Sequence, residues 1–262
     1  MNRKQRERIK QQPPISLEVT KLGHDGRGIA HHDGKVVFVD GALAGEVVEA
    51  KATLIRSKYD EANTVNVIKA SPLRVQPPCK HFGICGGCSL QHIDTQAQIE
   101  LKQDVLAEQF KHFGHLEPQE WLAPLRHSQA GYRRKARFGV RFVIKKDSLL
   151  LGFREKGSNY LAELEGCAVM DPRLGEAMMP LRALIGGLAG KDHIPQVEVA
   201  AGDDSVALIF RHMEALTDED VQALTSFCQQ RDWQCYLQPA GYDTVHRVYP
   251  VEGEDRLHYT MP

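Results

Sequence analysis

Pro77-Pro78-Cys79-Lys80-His81-Phe82-Gly83-Ile84-Cys85-Gly86-Gly87-Cys88 places three thiols close together in a C-x5-C-x2-C arrangement. Gly86 and Gly87 fill the short gap. Glycine tolerates positive φ and lets backbone approach an inorganic core, so this stretch reads as a pre-bent loop aimed at one centre. Cys167, standing alone after Glu165-Gly166, is the best fourth ligand. Structural zinc sites usually pair two tight knuckles, whereas this chain has one knuckle and two outliers. Three clustered cysteines with a remote fourth are more typical of iron–sulfur ligation. On spacing alone iron–sulfur leads, zinc is the rival, and unliganded structural thiols come third.

The cluster divides the chain into two differently patterned halves. Upstream, between Ile15 and Ala70, the segments Ile15–Lys21, Lys35–Val39, Glu46–Leu54 and Glu61–Lys69 alternate or run β-branched. Turn signals at His24-Asp25-Gly26, Asp33-Gly34, Gly41 and Ala44-Gly45 separate them, as in a small β-barrel. Gly23-His24-Asp25-Gly26-Arg27-Gly28 lies between short strands and opens no helix, so it reads as a hairpin turn rather than a phosphate loop.

Downstream, Asp94 or Thr95 caps a helix that ends at Gly114, with Ala97, Leu101, Val105, Leu106, Phe110 and Phe113 on one broad face. From Ser128 to Lys146 there are seven Lys or Arg and no acid. Strand alternation puts Arg133, Lys135 and Arg137 on one face, and Arg134, Phe138 and Phe142 partly on the other. Arginines bind phosphate in a bidentate manner and interleaved aromatics can stack on unpaired bases, so this segment reads as a nucleic-acid strand, with a solvated basic sheet edge as the alternative. Gly152-Phe153-Arg154-Glu155-Lys156 repeats the theme on the next strand.

Past Cys167 the pattern is ordinary α+β. Asp171-Pro172 starts a helix to about Ile185, and Gln196–Ala201 and Ser205–Arg211 form a hairpin. Thr217 caps a helix to about Arg231, and Trp233–Gln238 returns as a strand. Cys228 and Cys235 read as small buried hydrophobes. None of the scattered histidines is assigned a catalytic role.

Composition sets the outer limits. The chain has 262 residues, is 42 % hydrophobic and has a net charge of −1. This length suggests two domains. No run reaches the roughly 18 apolar residues of a membrane span. The charged N-terminus has no apolar stretch behind it, and the cysteines do not form a secreted disulfide framework, so a cytoplasmic location is expected. Residues 1–75 hold 13 Lys and Arg against 9 Asp and Glu. Five of those cations (Arg3, Lys4, Arg6, Arg8 and Lys10) form a polar leader over residues 1–14, either a solvated tail or a phosphate-seeking arm.

Several of these stretches resemble one family. They are Lys21 to Ala30, Gly45-Glu46, Ser71-Pro72, the Cys79–Cys88 loop with Gln91-His92, Tyr132 to Arg137, and Gly152-Phe153-Arg154. Together they resemble the RNA uracil-5-methyltransferases, in the 23S ribosomal RNA branch with an N-terminal TRAM domain. The resemblance implies an α+β protein: an OB-like TRAM barrel over residues 15–74, then a central α+β domain over 75–262 holding a [4Fe-4S] cluster on Cys79, Cys85, Cys88 and Cys167. It implies 23S rRNA as partner; the residues expected to contact it, the basic strand's among them, are Lys21, Arg27, Arg133, Arg134, Lys135, Arg137, Arg141 and Arg154. The family's cysteine nucleophile, its base and its S-adenosylmethionine site belong to a C-terminal Rossmann-like domain, which is expected to be absent from this chain. The resemblance places the helix over 94–114 against that domain. The expectation is the RNA-recognition half of an enzyme that does not methylate alone. A stand-alone iron–sulfur RNA-binding protein or redox sensor is the second reading.

Overall fold

A computed structural model describes Glu7, Ile9 and residues 11–128 and 130–260. Arg3, Lys4, Arg6, Arg8 and Lys10 of the basic leader lie outside the described residues. The chain forms two compact units, Met1–Gly83 with Cys88–Leu125, and Ile84–Gly87 with Arg126–Pro262. This partition differs from the expected 15–74 and 75–262 division, because the helix after the cysteine loop falls with the barrel.

The first unit is a closed five-stranded barrel of β1 (Ile15–Leu22), β2 (Gly28–His32), β3 (Lys35–Asp40), β4 (Val47–Ile55) and β5 (Tyr59–Lys69). The strand order is β1-β2-β3-β5-β4, with β4 closing on β1 and only β3 and β5 running parallel. Closure removes the free edges that short strands would otherwise expose. Alternation turns Leu17, Val19, Ala30, Val37, Val39, Val48, Ala50 and Ala62 inward. Strand β2 is absent from the sequence-based strands, because its five residues between two turns are too few to show a period. Its first residue has no room for a side chain, since a Cβ on Gly28 would lie 2.7 Å from Val19. The Gly23–Gly28 segment is a hairpin turn, closed by Gly23 N–H to Arg27 O at 2.8 Å.

The same unit holds α1 (Thr95–Gln109), whose first turn is capped by the Asp94 carboxylate accepting from the N–H groups of Gln96 and Ala97. A π-turn at Phe110–Gly114 ends it, and His115 takes the left-handed conformation at φ 51°. Only the N-terminal part of the expected apolar face is covered. Ala97 packs with Leu43 and Ile93, whereas Leu106, Phe110 and Phe113 are exposed.

The second unit is built on a six-stranded sheet ordered β11-β10-β9-β8-β6-β7. Its strands are β6 (Lys135–Val143), β7 (Ser148–Gly152), β8 (Gln196–Ala201), β9 (Val206–Arg211), β10 (Gln234–Gln238) and β11 (His246–Tyr249). Only β9 and β10 are parallel, joined through the crossover helix α4 (Asp218–Gln229). One face packs on the helices through Phe138, Val197, Val199, Leu208, Phe210 and Leu237. The expected helix from Asp171 to Ile185 is two helices, α2 (Pro172–Glu176) and α3 (Met178–Gly186). Pro180 accounts for the break: its nitrogen cannot donate and its ring crowds the carbonyl four residues back. Strand β7 stops at Gly152, whose φ is 147°, so Arg154 and Glu155 are not part of it as expected. They form isolated bridges to Leu161 and Cys85 instead.

Candidate functional site

The cysteines fall into two classes. Cys79, Cys85, Cys88 and Cys167 are half-buried and Cys228 and Cys235 fully buried, and all six are free of disulfides. In the first unit, the Cys79 N–H donates to Gln91 Oε1 at 3.2 Å and its carbonyl accepts from Phe82 N–H. Phe82 in turn packs on the His92 ring at 5.2 Å. Cys88 belongs to this unit too.

In the second unit, Cys85 is clamped as a short bridge against Glu155, reinforced by Gly86 N–H to Arg154 O at 2.9 Å and Lys156 N–H to Ile84 O at 2.8 Å. The Gly87 N–H donates to Cys85 Sγ at 3.4 Å. An amide aimed at sulfur stabilises a thiolate and tunes a metal-bound one. Cys167 is held by α2, because a Cβ on Gly175 would sit 2.5 Å from the Cys167 carbonyl oxygen. Cys85 and Cys167 both pack against this unit's core. Each unit therefore carries two of the four thiols, and among the described residues no three His, Cys, Asp or Glu side chains form a group able to hold a metal ion. Within the second unit, the part-exposed Cys85 thiol already receives an amide hydrogen bond, a chemistry that suits iron–thiolate bonding.

Two other features of the second unit have structural roles. The Cys235 thiol is pushed far up by its hydrogen bond with Cys228 and by burial, which disfavours the thiolate that a nucleophile needs. The glycine-rich end of α3, Gly186 to Gly190, offers no anion cradle. The N–H groups of Ala189 and Gly190 both donate to the Asp220 carboxylate at 2.8 Å.

The basic strand is different in space from what it is in sequence. Strand β6 pairs with β8, which sets Arg137 opposite Glu198. Arg137 donates to Glu198 Oε1 at 3.0 Å and to the Tyr242 hydroxyl at 2.9 Å. Arg134 donates to Asp203 Oδ1 at 2.6 Å. Lys135 and Arg141 are exposed and make no ion pair among the described residues, while Arg133 is half-buried beside the bridge to Met170. The exposed Arg154 guanidinium donates to Asn159 Oδ1 at 3.4 Å. Phe138 is not a stacking platform. It is 1 % exposed and packs edge-on against Phe153 in the core, because alternation that turns Arg137 out turns Phe138 in. Phe142 is half-buried under the Lys191 ammonium at 4.5 Å.

On the barrel, Arg27 lies 4.8 Å over the Phe38 ring and is paired with Asp25 at 2.7 Å and Glu61 at 3.4 Å. Lys21 at the end of β1 is exposed. Sequence reasoning missed the outward residues Gln196, Glu198, Arg211 and Gln238. Their signal was present as polar residues at alternate positions of three short strands.

Comparison with known proteins agrees with this architecture. Residues 15–65 match the family model of the TRAM domain. The chain is 53 % identical over 249 residues to a 23S rRNA (uracil(1939)-C(5))-methyltransferase RlmD of Alcanivorax borkumensis, an alignment covering 95 % of this chain and 56 % of that protein. It is 50 % identical over 251 residues to the protein of the same name from Nitrosococcus oceani, again covering 56 % of it. The chain thus spans little more than half the length of these relatives. Among solved structures, a tRNA (uracil-54, C5)-methyltransferase of Pyrococcus abyssi in complex with S-adenosyl-L-homocysteine aligns at a TM-score of 0.58 and 18 % identity. That alignment covers 85 % of this chain and 50 % of the archaeal one, and it shows a shared fold.

Proposed function

We propose that this chain is the RNA-recognition and iron–sulfur portion of an S-adenosylmethionine-dependent 23S rRNA uracil-5-methyltransferase. The observation that carries this reading is the 53 % identity, sustained over 95 % of the chain, to a protein of that name. The TRAM match over the barrel supports RNA as the partner. Lys135 and Arg141 on β6, exposed and without an ion pair among the described residues, supply phosphate contacts with the exposed Lys21 on the barrel. Arg134, Arg137 and Arg27 are held by acids and act as oriented donors rather than free charges.

In this reading Cys79, Cys85, Cys88 and Cys167 hold a [4Fe-4S] cluster. The group supplies iron to bind four anionic sulfurs, and Gly87 N–H offsets part of the charge on Cys85. No residue of this chain is given a catalytic role. The methyl donor and the nucleophile belong to a further domain, for which the uncovered apolar end of α1 is the docking face.

Filter binding and methyl transfer, measured on one sample, test the assignment. The chain is expected to retain a single-stranded 23S rRNA fragment and to incorporate no methyl group from labelled S-adenosylmethionine. Methyl incorporation would overturn the division of labour, and failure to retain the fragment would overturn the RNA assignment.

A further inference from the structure

The open face of the second unit's sheet carries a small polar cavity of about 140 Å³. The register explains its make-up. Gln196 on β8 pairs with Arg211 on β9, and Arg211 with Gln238 on β10, so the three side chains form one row across the sheet. Glu198 and Arg137 stand one step along, and Tyr242 forms the rim from the β10–β11 connection.

Much of this machinery is fixed without a ligand. Arg137 and the Gln196 side-chain amide both donate to Glu198 Oε1. The second oxygen, Oε2, receives no hydrogen bond among the described residues. Gln238 is only 4 % exposed, and its amide donates to Ala240 O at 3.2 Å, which leaves its carbonyl oxygen as an acceptor. Arg211 is half-buried and its guanidinium has no hydrogen bond or ion pair among the described residues. Tyr242 is 72 % exposed with its hydroxyl pinned by Arg137. A ready cation, two ready acceptors and an exposed ring thus surround one small space.

We propose that this cavity is a base-reading subsite that seats one unpaired RNA nucleobase. The inference rests on the RNA-binding reading given above. The chemistry favours a base over a bare anion. A phosphate offers only acceptors, and the free Glu198 oxygen would repel it. A nucleobase edge alternates donors and acceptors, so it can take a hydrogen bond from Arg211 while giving one to Glu198 Oε2 or the Gln238 carbonyl. Tyr242 offers a face for the ring to stack on. The volume also fits a single ring system, since cofactor-sized pockets run to roughly 300–1,000 Å³.

Fluorescence anisotropy with a single-stranded 23S rRNA fragment, over a series of salt concentrations, tests the subsite. Tyr242→Ala and Arg211→Gln are each expected to weaken binding by about 5- to 50-fold. Tyr242→Phe should retain affinity within about 3-fold, because the ring remains. The salt dependence should stay unchanged in all three, as a base contact displaces no counterion. An abasic scan of the fragment should find one position at which Tyr242→Ala has no further effect. Tyr242 is exposed, so its variants report even if Arg211→Gln fails to fold. Wild-type affinity in both Tyr242→Ala and Arg211→Gln overturns the subsite and leaves the RNA assignment standing. A weaker salt slope in Arg211→Gln, with uniform loss across sequences, makes Arg211 a phosphate contact and overturns it as well. If the wild-type chain binds no fragment, both readings fall.

Discussion

Arg134 and Asp203 are 69 residues apart in the chain and 2.6 Å apart in space. Asp203 also receives the Thr260 N–H at 2.7 Å, so one carboxylate in the β8–β9 turn anchors both the basic strand and the segment near residue 260. Arg134 therefore enters any encounter with RNA already partnered.

Releasing that arginine should strengthen the electrostatic part of binding. Asp203→Asn is expected to raise affinity for an rRNA fragment and to steepen the plot of log affinity against log salt by about one phosphate contact. Filter binding from low to moderate salt measures it. An unchanged slope would mean that Arg134 does not meet the RNA backbone.

Glu46 is fully buried in the barrel unit, gripped by Arg74 at 2.6 and 2.7 Å and by the N–H groups of Leu43 and Ser71. Burial raises its pKa, but the Arg74 hydrogen bonds and the two amides outweigh it and hold the carboxyl below its ordinary value. A depressed carboxyl stabilises the fold above its unfolded pKa of about 4.3, and that contribution is lost as pH falls through the lower folded value. Arg74→Met should cost about 3–5 kcal/mol at pH 7 by stranding the carboxylate, and that cost should shrink toward pH 4 as the stranded carboxyl takes up a proton. Urea unfolding monitored at pH 7 and pH 4 checks both; equal stability of the two proteins at pH 7 would remove the ion pair from the account.

Anaerobically purified protein is expected to be brown, with iron and sulfide each on the order of four per chain. Cys167→Ala should lose the colour and the iron. Cys228→Ala should keep both, because that thiol lies in the sheet–helix core beside Cys235. Stoichiometric zinc in colourless protein would reassign the metal.

Gly175 allows α2 to lie directly on the Cys167 backbone. Adding a methyl group there sets two backbone segments in collision, so Gly175→Ala should destabilise the second unit by about 1–3 kcal/mol. It should also speed iron loss to a chelator, followed by the decay of visible absorbance. Gly157→Ala is the useful contrast, because its surroundings are open and only its φ of 69° is strained.

The far end of α1 should exchange its amide hydrogens quickly. Phe113 is 85 % exposed, and Leu106 and Phe110 also face solvent, so little tertiary packing holds the last turns. Peptides over 105–114 are expected to lose protection well before those of β8 and β9. Equal protection in a monomeric sample would show that this helix end is packed, and would remove it as a docking face.

What the sequence determined by itself was whatever depends on neighbours along the chain. The turn pairs around β3 and β4, the cap at Asp94, the hairpin at Gly202 and the grouping of Cys79, Cys85 and Cys88 are all local chemistry. So is the alternation that separates Arg137 from Phe138. The tertiary structure alone decided what those residues face. A run without acids in the chain became a strand neutralised from β8 and its turn, because sheet register brings Glu198 and Asp203 from more than sixty residues away. The same alternation that announced a basic strand also sent Phe138 into the core, and nothing local says which face of a strand the helices will cover. The row of Gln196, Arg211 and Gln238 exists only through pairing between three strands. No single stretch of sequence contains it, since the chain specifies each strand and only closing the sheet places their side chains side by side.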